Sequence, residues 1–195
     1  MTRLIERAVP RATDLVRRDH RQVLERFQRY HATASPRIKQ GLARTVCLAL
    51  EVHTRLEEEL LYPAVREASA SDFLRRAVDE HAGMRRQIAQ LRQLEPTDPT
   101  FDGAFLGLMR DVLHHVADEE TLFLPEAERV LRGRLGELGA QMMRRRLALM
   151  APRVPAMAWG RVQAAPARSL LVAAGIVLGS AWLGGQLSRR GQAPA

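Results

Sequence analysis

The sequence predicts an all-α protein: an antiparallel four-helix bundle, an extra basic helix, and a C-terminal membrane-spanning helix. Three observations carry this expectation. Residues 12–150 show helical apolar periodicity with few β-branched runs. The connections between the periodic segments are short, which makes neighbouring helices antiparallel. Residues Ser169 to Ser188 contain no charged side chain, and twenty residues at about 1.5 Å each make about 30 Å, the depth of a bilayer core.

The first periodic segment runs from about Thr13 to Ala34. The second starts at Pro36, a residue suited to a first helical turn, and runs to about Glu67. The third runs from about Ser71, read as its N-cap, to Leu94. The breaker Glu95-Pro-Thr-Asp-Pro99 separates it from the fourth, which extends to about Arg132. A basic helix follows from Leu135 to Met150. The expected organisation is therefore a bundle over 12–150, a proline-punctuated linker over 151–168, a span over 169–188 and a short basic tail over 189–195.

The chain has 195 residues and a formal net charge of +8, which by itself invites a nucleic-acid reading. The charge is partitioned, however. Residues 1–133 contain 21 basic and 21 acidic side chains. The excess lies beside and beyond the charge-free span, so it reads as an orientation signal, with the heavier arginine side in the cytoplasm. No nucleic-acid partner is expected. Gly175 and Gly179 form a GxxxG that could pair spans into a homodimer. The single cysteine, Cys47, excludes an intramolecular disulfide framework and a cysteine-based zinc site. No signal peptide is visible at the N-terminus, and no phosphate loop or ordered nucleophilic triad suggests kinase or hydrolase chemistry.

An internal repeat is the strongest signal. His53 opens H-T-R-L-E-E-E-L-L-Y-P and His115 opens H-V-A-D-E-E-T-L-F-L-P, both of the form H-x3-E-E-x-L-x-x-P. Upstream, Asp19-His20 and Glu80-His81 form a second matched pair. The chain therefore reads as two helical hairpins of one design.

His53 and Glu57 stand at i and i+4, as do His115 and Glu119, so each pair shares a helix face. Those faces are apolar. Leu42, Val46, Ala49, Leu56 and Leu60 flank the first pair, and Leu108, Val112 and Leu122 the second. Val16, Val23 and Phe27 accompany His20; Leu74, Val78, Met84, Ile88 and Leu91 accompany His81. Four helices thus point one histidine each into a common core, and two add a carboxylate. One core histidine alone is commonly satisfied by a backbone carbonyl. Two buried carboxylates among four imidazoles need a compensating cation. A pair of metal ions with two histidines each fits this donor set. Glu58 and Glu120 are read as solvated groups able to accept from a histidine, and Asp19 and Glu80 as helix-surface charges, with orientation of neighbouring groups as the alternative. His114 and His31 are read as non-ligands. Pro63 and Pro125 are expected to kink or end their helices.

The pattern resembles the hemerythrin-like family of HHE cation-binding domains. It does so over roughly 12–150, through D-H at 19–20, the H-x3-E-E segments at 53–63 and 115–125, and E-H at 80–81. The resemblance implies a non-haem site of two iron ions, with an oxo or hydroxo group between them. His20, His53, His81 and His115 would be terminal ligands, and Glu57 and Glu119 would bridge. The oxygen carriers of the family have a further histidine one turn after the third-helix ligand. Arg85 stands there in this sequence, which leaves more open coordination and argues against simple reversible oxygen carriage. The H-x3-E order also differs from the E-x-x-H order of ferritin-like carboxylate sites.

The expectation is a di-iron protein, anchored as a single-pass protein of a bacterial inner membrane, that binds or senses O2, NO or peroxide. The alternatives are a di-iron enzyme of oxidative or nitrosative stress defence, acting by peroxide or NO reduction or by iron donation for iron-sulfur repair, and an interaction module with a purely structural metal.

Overall fold

A computed structural model describes residues 10–151. The chain divides into two compact units between Leu147 and Ala148. The first holds the bundle; nearly all of the second, including the expected span at 169–188, lies outside the described residues. Among the described residues no helix is long and apolar enough to cross a membrane.

Helix α1 covers Ala12–Gln28 and α2 Pro36–Leu56; α2 passes through a π-helical turn, Glu57–Leu61, into α3, Tyr62–Ala68. Helix α4 covers Phe73–Leu91. Helix α5, Phe101–Asp118, passes through a second π turn, Glu119–Phe123, into α6, Leu124–Val130. Helix α7, the expected basic helix, covers Leu135–Met150. α1 packs on α2, α2 on α4, α4 on α5, and α5 on α1, which closes a four-membered ring.

The helices bury most of the stripe that periodicity marked, with Leu42, Ala49, Leu60 and Val78 half-buried. One large cluster, which includes Val23, Phe27, Val46, Leu50, Ile88 and Phe105, fills one end of the bundle. Tyr30 and Lys39 both donate to Asp102 beside that cluster, Lys39 at 2.8 Å. Beyond the π turns, Leu61, Tyr62, Phe123 and Leu124 are fully buried. α7 buries Leu135, Leu138, Gly139 and Met142 against the bundle. The contact at Gly139 is backbone on backbone: a Cβ there would lie 1.9 Å from the Pro10 carbonyl oxygen.

Three expectations change. The third helix begins at Phe73 rather than Ser71, because the Ser71 hydroxyl donates to Glu126 instead of capping a helix. α1 ends at Gln28, six residues before Ala34. Most informative are the prolines, which neither end nor sharply break their helices. A proline lacks the N–H for the i−4 carbonyl, and its ring crowds that carbonyl. The chain answers with a wider turn, in which the Tyr62 N–H bonds to the Glu57 carbonyl and the Leu124 N–H to the Glu119 carbonyl, five residues back. The added residue rotates everything downstream. Leu122, assigned to the core stripe by α-helical periodicity, is 55% exposed, and Phe123 takes its place at 0%.

Candidate metal centre

The six residues singled out by the repeat converge. His20, His53, His81, His115, Glu57 and Glu119 are all buried, none more than 4% exposed. His20 comes from α1, His53 from α2, His81 from α4 and His115 from α5, and each glutamate opens a π turn. The two carboxylates lie at the centre. Glu57 Oε2 is 3.2 Å from His53 Nε2 and 3.5 Å from His81 Nε2. Glu119 Oε2 is 3.3 Å from His20 Nε2 and 3.6 Å from His115 Nε2. Each glutamate therefore reaches the histidine one turn before it and one from the other hairpin.

The outer nitrogens obey the same two-fold rule. His53 Nδ1 faces Asp19 at 3.6 Å, and its counterpart His115 Nδ1 faces Glu80 at 2.8 Å. His20 Nδ1 faces Glu120 at 2.9 Å, and His81 Nδ1 faces Glu58 at 3.0 Å. All four imidazoles thus carry a carboxylate behind them. That arrangement fixes the ring and favours the Nδ1–H tautomer, leaving the Nε2 lone pairs pointing inward. Glu58 and Glu120 act as the acceptors the sequence allowed. Asp19 and Glu80 are not simple surface charges: each is the acid just before one histidine and orients the histidine of the next helix. Acid-His dipeptides, repeated 61 residues apart, were the available signal.

Several atoms here have no protein partner. His20 Nε2, both Glu57 oxygens and Glu119 Oε2 are buried without a hydrogen bond. His81 Nε2 and His115 Nε2 lie 3.1 Å apart; with both protons on Nδ1, lone pair meets lone pair. A cation between such atoms satisfies all of them, so the donor set fits a bound metal. The atoms fall into two groups, each with donors within 4.8 Å of one another: His20, His53, Glu57 and Glu119, and Glu57, His81 and His115. His20 pairs with His53 and His81 with His115, the ring centroids 4.9 and 4.7 Å apart. Mixed imidazole and carboxylate donors suit iron, manganese or zinc.

The electrostatics agree. Burial pushes the Glu57 carboxyl well above its usual range, and the nearby charge of Glu119 adds to it. Burial also opposes the Glu119 charge, but the adjoining imidazoles of His20, His115 and His53 hold that carboxyl low. Burial lowers His53 to about 4 and lowers His81 as well, keeping both in the neutral form that a metal requires. Asp19 falls to about 2: its burial is outweighed by His53 and Arg146.

The surroundings break the symmetry in two places. Tyr62 corresponds to Leu124 in the repeat. Its hydroxyl donates to Glu119 Oε1 at 2.7 Å and lies 3.4 Å from His81 Nε2, with the rings of Tyr62 and His81 stacked. Arg85 turns outward and donates to Glu58 at 2.7 Å. The second break is α7. Arg146 grips both oxygens of Asp19, one of them at 2.7 Å, and Arg145 pairs with Glu59. The sequence marked α7 only as basic; its partners come from residues more than 80 positions away.

Comparison with known proteins places this geometry. Residues 11–127 match the hemerythrin HHE cation binding domain. The crystal structure of an HHE cation-binding-domain protein from Mycobacterium kansasii superposes with a TM-score of 0.63 at 20% identity, covering 74% of this chain and 90% of that one. A Nostoc protein described as a DNA nickase is 32% identical over 111 residues, which cover 56% of this chain but only 32% of that protein. With the family matched across most of the described bundle, this chain belongs to the hemerythrin HHE cation-binding domain family.

Proposed function

We propose that the chain is a non-haem di-iron protein that binds or senses O2, NO or a peroxide. The observation that supports this best is the two-fold histidine–carboxylate array: four Nε2 atoms turned onto two buried glutamates, each backed by its own acid. His20 and His53 would hold one iron and His81 and His115 the other, with Glu57 and Glu119 across both. When bound, the irons supply electrons and open coordination to a small ligand. The protein's part is to hold His53 and His81 neutral by burial, to set the orientation of all four imidazoles from behind, and to exclude water with Leu56, Leu61, Phe123 and Val112, none more than 1% exposed. Optical spectroscopy of the anaerobically iron-loaded chain, before and after NO or O2, tests this reading. Spectral bands that appear on adding the gas and vanish in H53A support it; a spectrum indifferent to both gases overturns it.

One feature favours an enzymatic reading beside the sensing one. Tyr62 presents a phenol, held protonated by burial, 2.7 Å from Glu119. Its hydroxyl, 3.4 Å from His81 Nε2, would be placed to donate a hydrogen bond to a ligand bound beside that histidine. Turnover of peroxide or NO that falls in Y62F, with binding intact, distinguishes enzyme from sensor.

Residues 169–188 are proposed as a single membrane span, on their charge-free length and flanking arginines. The bundle would face the cytoplasm. DNA nicking, the activity named for the Nostoc relative, belongs to a protein of which the match covers a third. The equal charge count of residues 1–133 lacks the cationic excess that backbone phosphate binding uses. Plasmid incubated with the full chain and Mg2+ is expected to stay supercoiled.

A further inference from the structure

The two hairpins share one site design, but the acids at the equivalent positions 19 and 80 differ in exposure, Asp19 at 10% and Glu80 at 26%. On the first, the acid behind His53, Asp19, is closed off by Arg146. On the second, the acid behind His115, Glu80, lines a groove of about 430 Å³ with Gly83, Met84, Arg110, Asp111 and His114. There the chain carries a second comb in step with the first: His114 and Asp118 stand at i and i+4, one residue ahead of His115 and Glu119. Donor atoms of Glu80, His114 and Asp118 lie within 4.8 Å of one another. The positions 62 residues earlier are Val52 and Leu56, both buried, so His114 and Asp118 have no counterpart in the first hairpin.

We propose that Glu80, His114 and Asp118 form a surface site for a divalent transition cation, which captures the metal bound for the His81/His115 half of the buried centre. One imidazole and two carboxylates on neighbouring helices suit a borderline cation such as Fe2+ or Zn2+. The His114 side chain is 72% exposed and Asp118 24%, so solvent cations reach both. Nearby cations leave room. Arg110 is held by Asp111 at 2.9 Å. Arg76, 3.9 Å from Asp118, is itself largely exposed and lies over the Phe73 ring. Glu80 belongs to both places: its Oε2 takes the His115 Nδ1–H at 2.8 Å, so a cation on this carboxylate sits one residue from the inner ligands.

The capture role rests on the proposed di-iron reading; the surface site rests on its three residues alone. The test separates them with the full chain. Zn2+ is titrated into wild type, H81A and H81A/H114A. H81A is expected to lose an inner ion and keep a weaker, outer one, and H81A/H114A to lose the outer one too. Equal stoichiometry in the last two overturns the surface site. Equal stoichiometry in wild type and H81A overturns the inner reading instead. Anaerobic Fe2+ loading, followed by stopped flow at limiting metal, then reads capture. H114A and D118N are expected to load about tenfold more slowly, the scale on which outer carboxylates act at metal sites, and to reach the same final iron content. Unchanged loading rates overturn the capture role.

Discussion

Arg146 is the sharpest point at which a residue outside the four-helix ring bears on the centre. It grips both oxygens of Asp19, which in turn faces His53 Nδ1 at 3.6 Å. Asp19 titrates at about 2 instead of 3.8, which corresponds to about 2 kcal/mol of net interaction with His53 and Arg146 together. Both side chains are largely covered, Asp19 10% and Arg146 25% exposed, so solvent screening removes little of it. In the metal-free chain R146Q is therefore expected to cost about 1–2 kcal/mol, or about 0.5–1 M in the urea midpoint at the slope usual for a domain this size. R145Q, which loses only the exposed pair with Glu59, is the control and should leave the midpoint in place. The pH dependence has a definite sign. A carboxyl depressed on folding stabilises the fold above its unfolded value near 3.8, and that stability is lost as pH falls through 2. The gap between wild type and R146Q should accordingly be constant above pH 4 and close between 4 and 2. Equilibrium unfolding followed by circular dichroism reads both. A midpoint for R146Q equal to that of R145Q, or a gap that widens in acid, would refute the link from α7 to Asp19.

Other outcomes follow from the same geometry. G139A drives a Cβ onto the Pro10 carbonyl, a backbone atom that cannot turn away; it should cost about 1–3 kcal/mol and raise proteolysis within α7. Metal binding favours the ionised Glu57 carboxylate, whose charge burial and Glu119 oppose. Titration calorimetry in two buffers of different ionisation heat should therefore show net proton release on loading, with affinity rising as pH rises. P63A restores the N–H for the Glu59 carbonyl and removes the reason for the wider turn. It is expected to weaken metal retention more than it weakens the fold, as read by metal content and urea midpoint on one sample. Fractionation of the full chain against a 1–150 truncation tests the anchor: only the full chain should pellet with membranes.

Much of this was legible in the sequence because it depends on spacing. Four histidines at core register and two glutamates one turn on require only helical periodicity, and the structure brings all six together. Helix ends were less legible where tertiary bonds override local preference, as when Ser71 spends its hydroxyl on Glu126. The π turns were half legible. The duplicated prolines signalled a disturbance, but a kink and an added residue share that signal, and only the exposure of Leu122 against the burial of Phe123 tells them apart. For Asp19 and Glu80 the orienting role was the lesser of two readings, because an acid beside a histidine points away from it on one helix. Their true partners lie on the next helix, a relation that no single-helix spacing contains. Tyr62 stood one residue before Pro63, opposite Leu124 in the repeat. The broken symmetry was visible there, and its direction became clear only from the hydrogen bond to Glu119.

A buried centre shared by the hairpins would hold two metal ions. Iron content and Mössbauer spectroscopy of the anaerobically loaded, then oxidised full chain test it most directly. About two irons per chain, magnetically coupled, are expected, and fewer than two when both Glu57 and Glu119 are changed to glutamine. One uncoupled iron, or a full complement of two in the double variant, would contradict a centre built on these carboxylates.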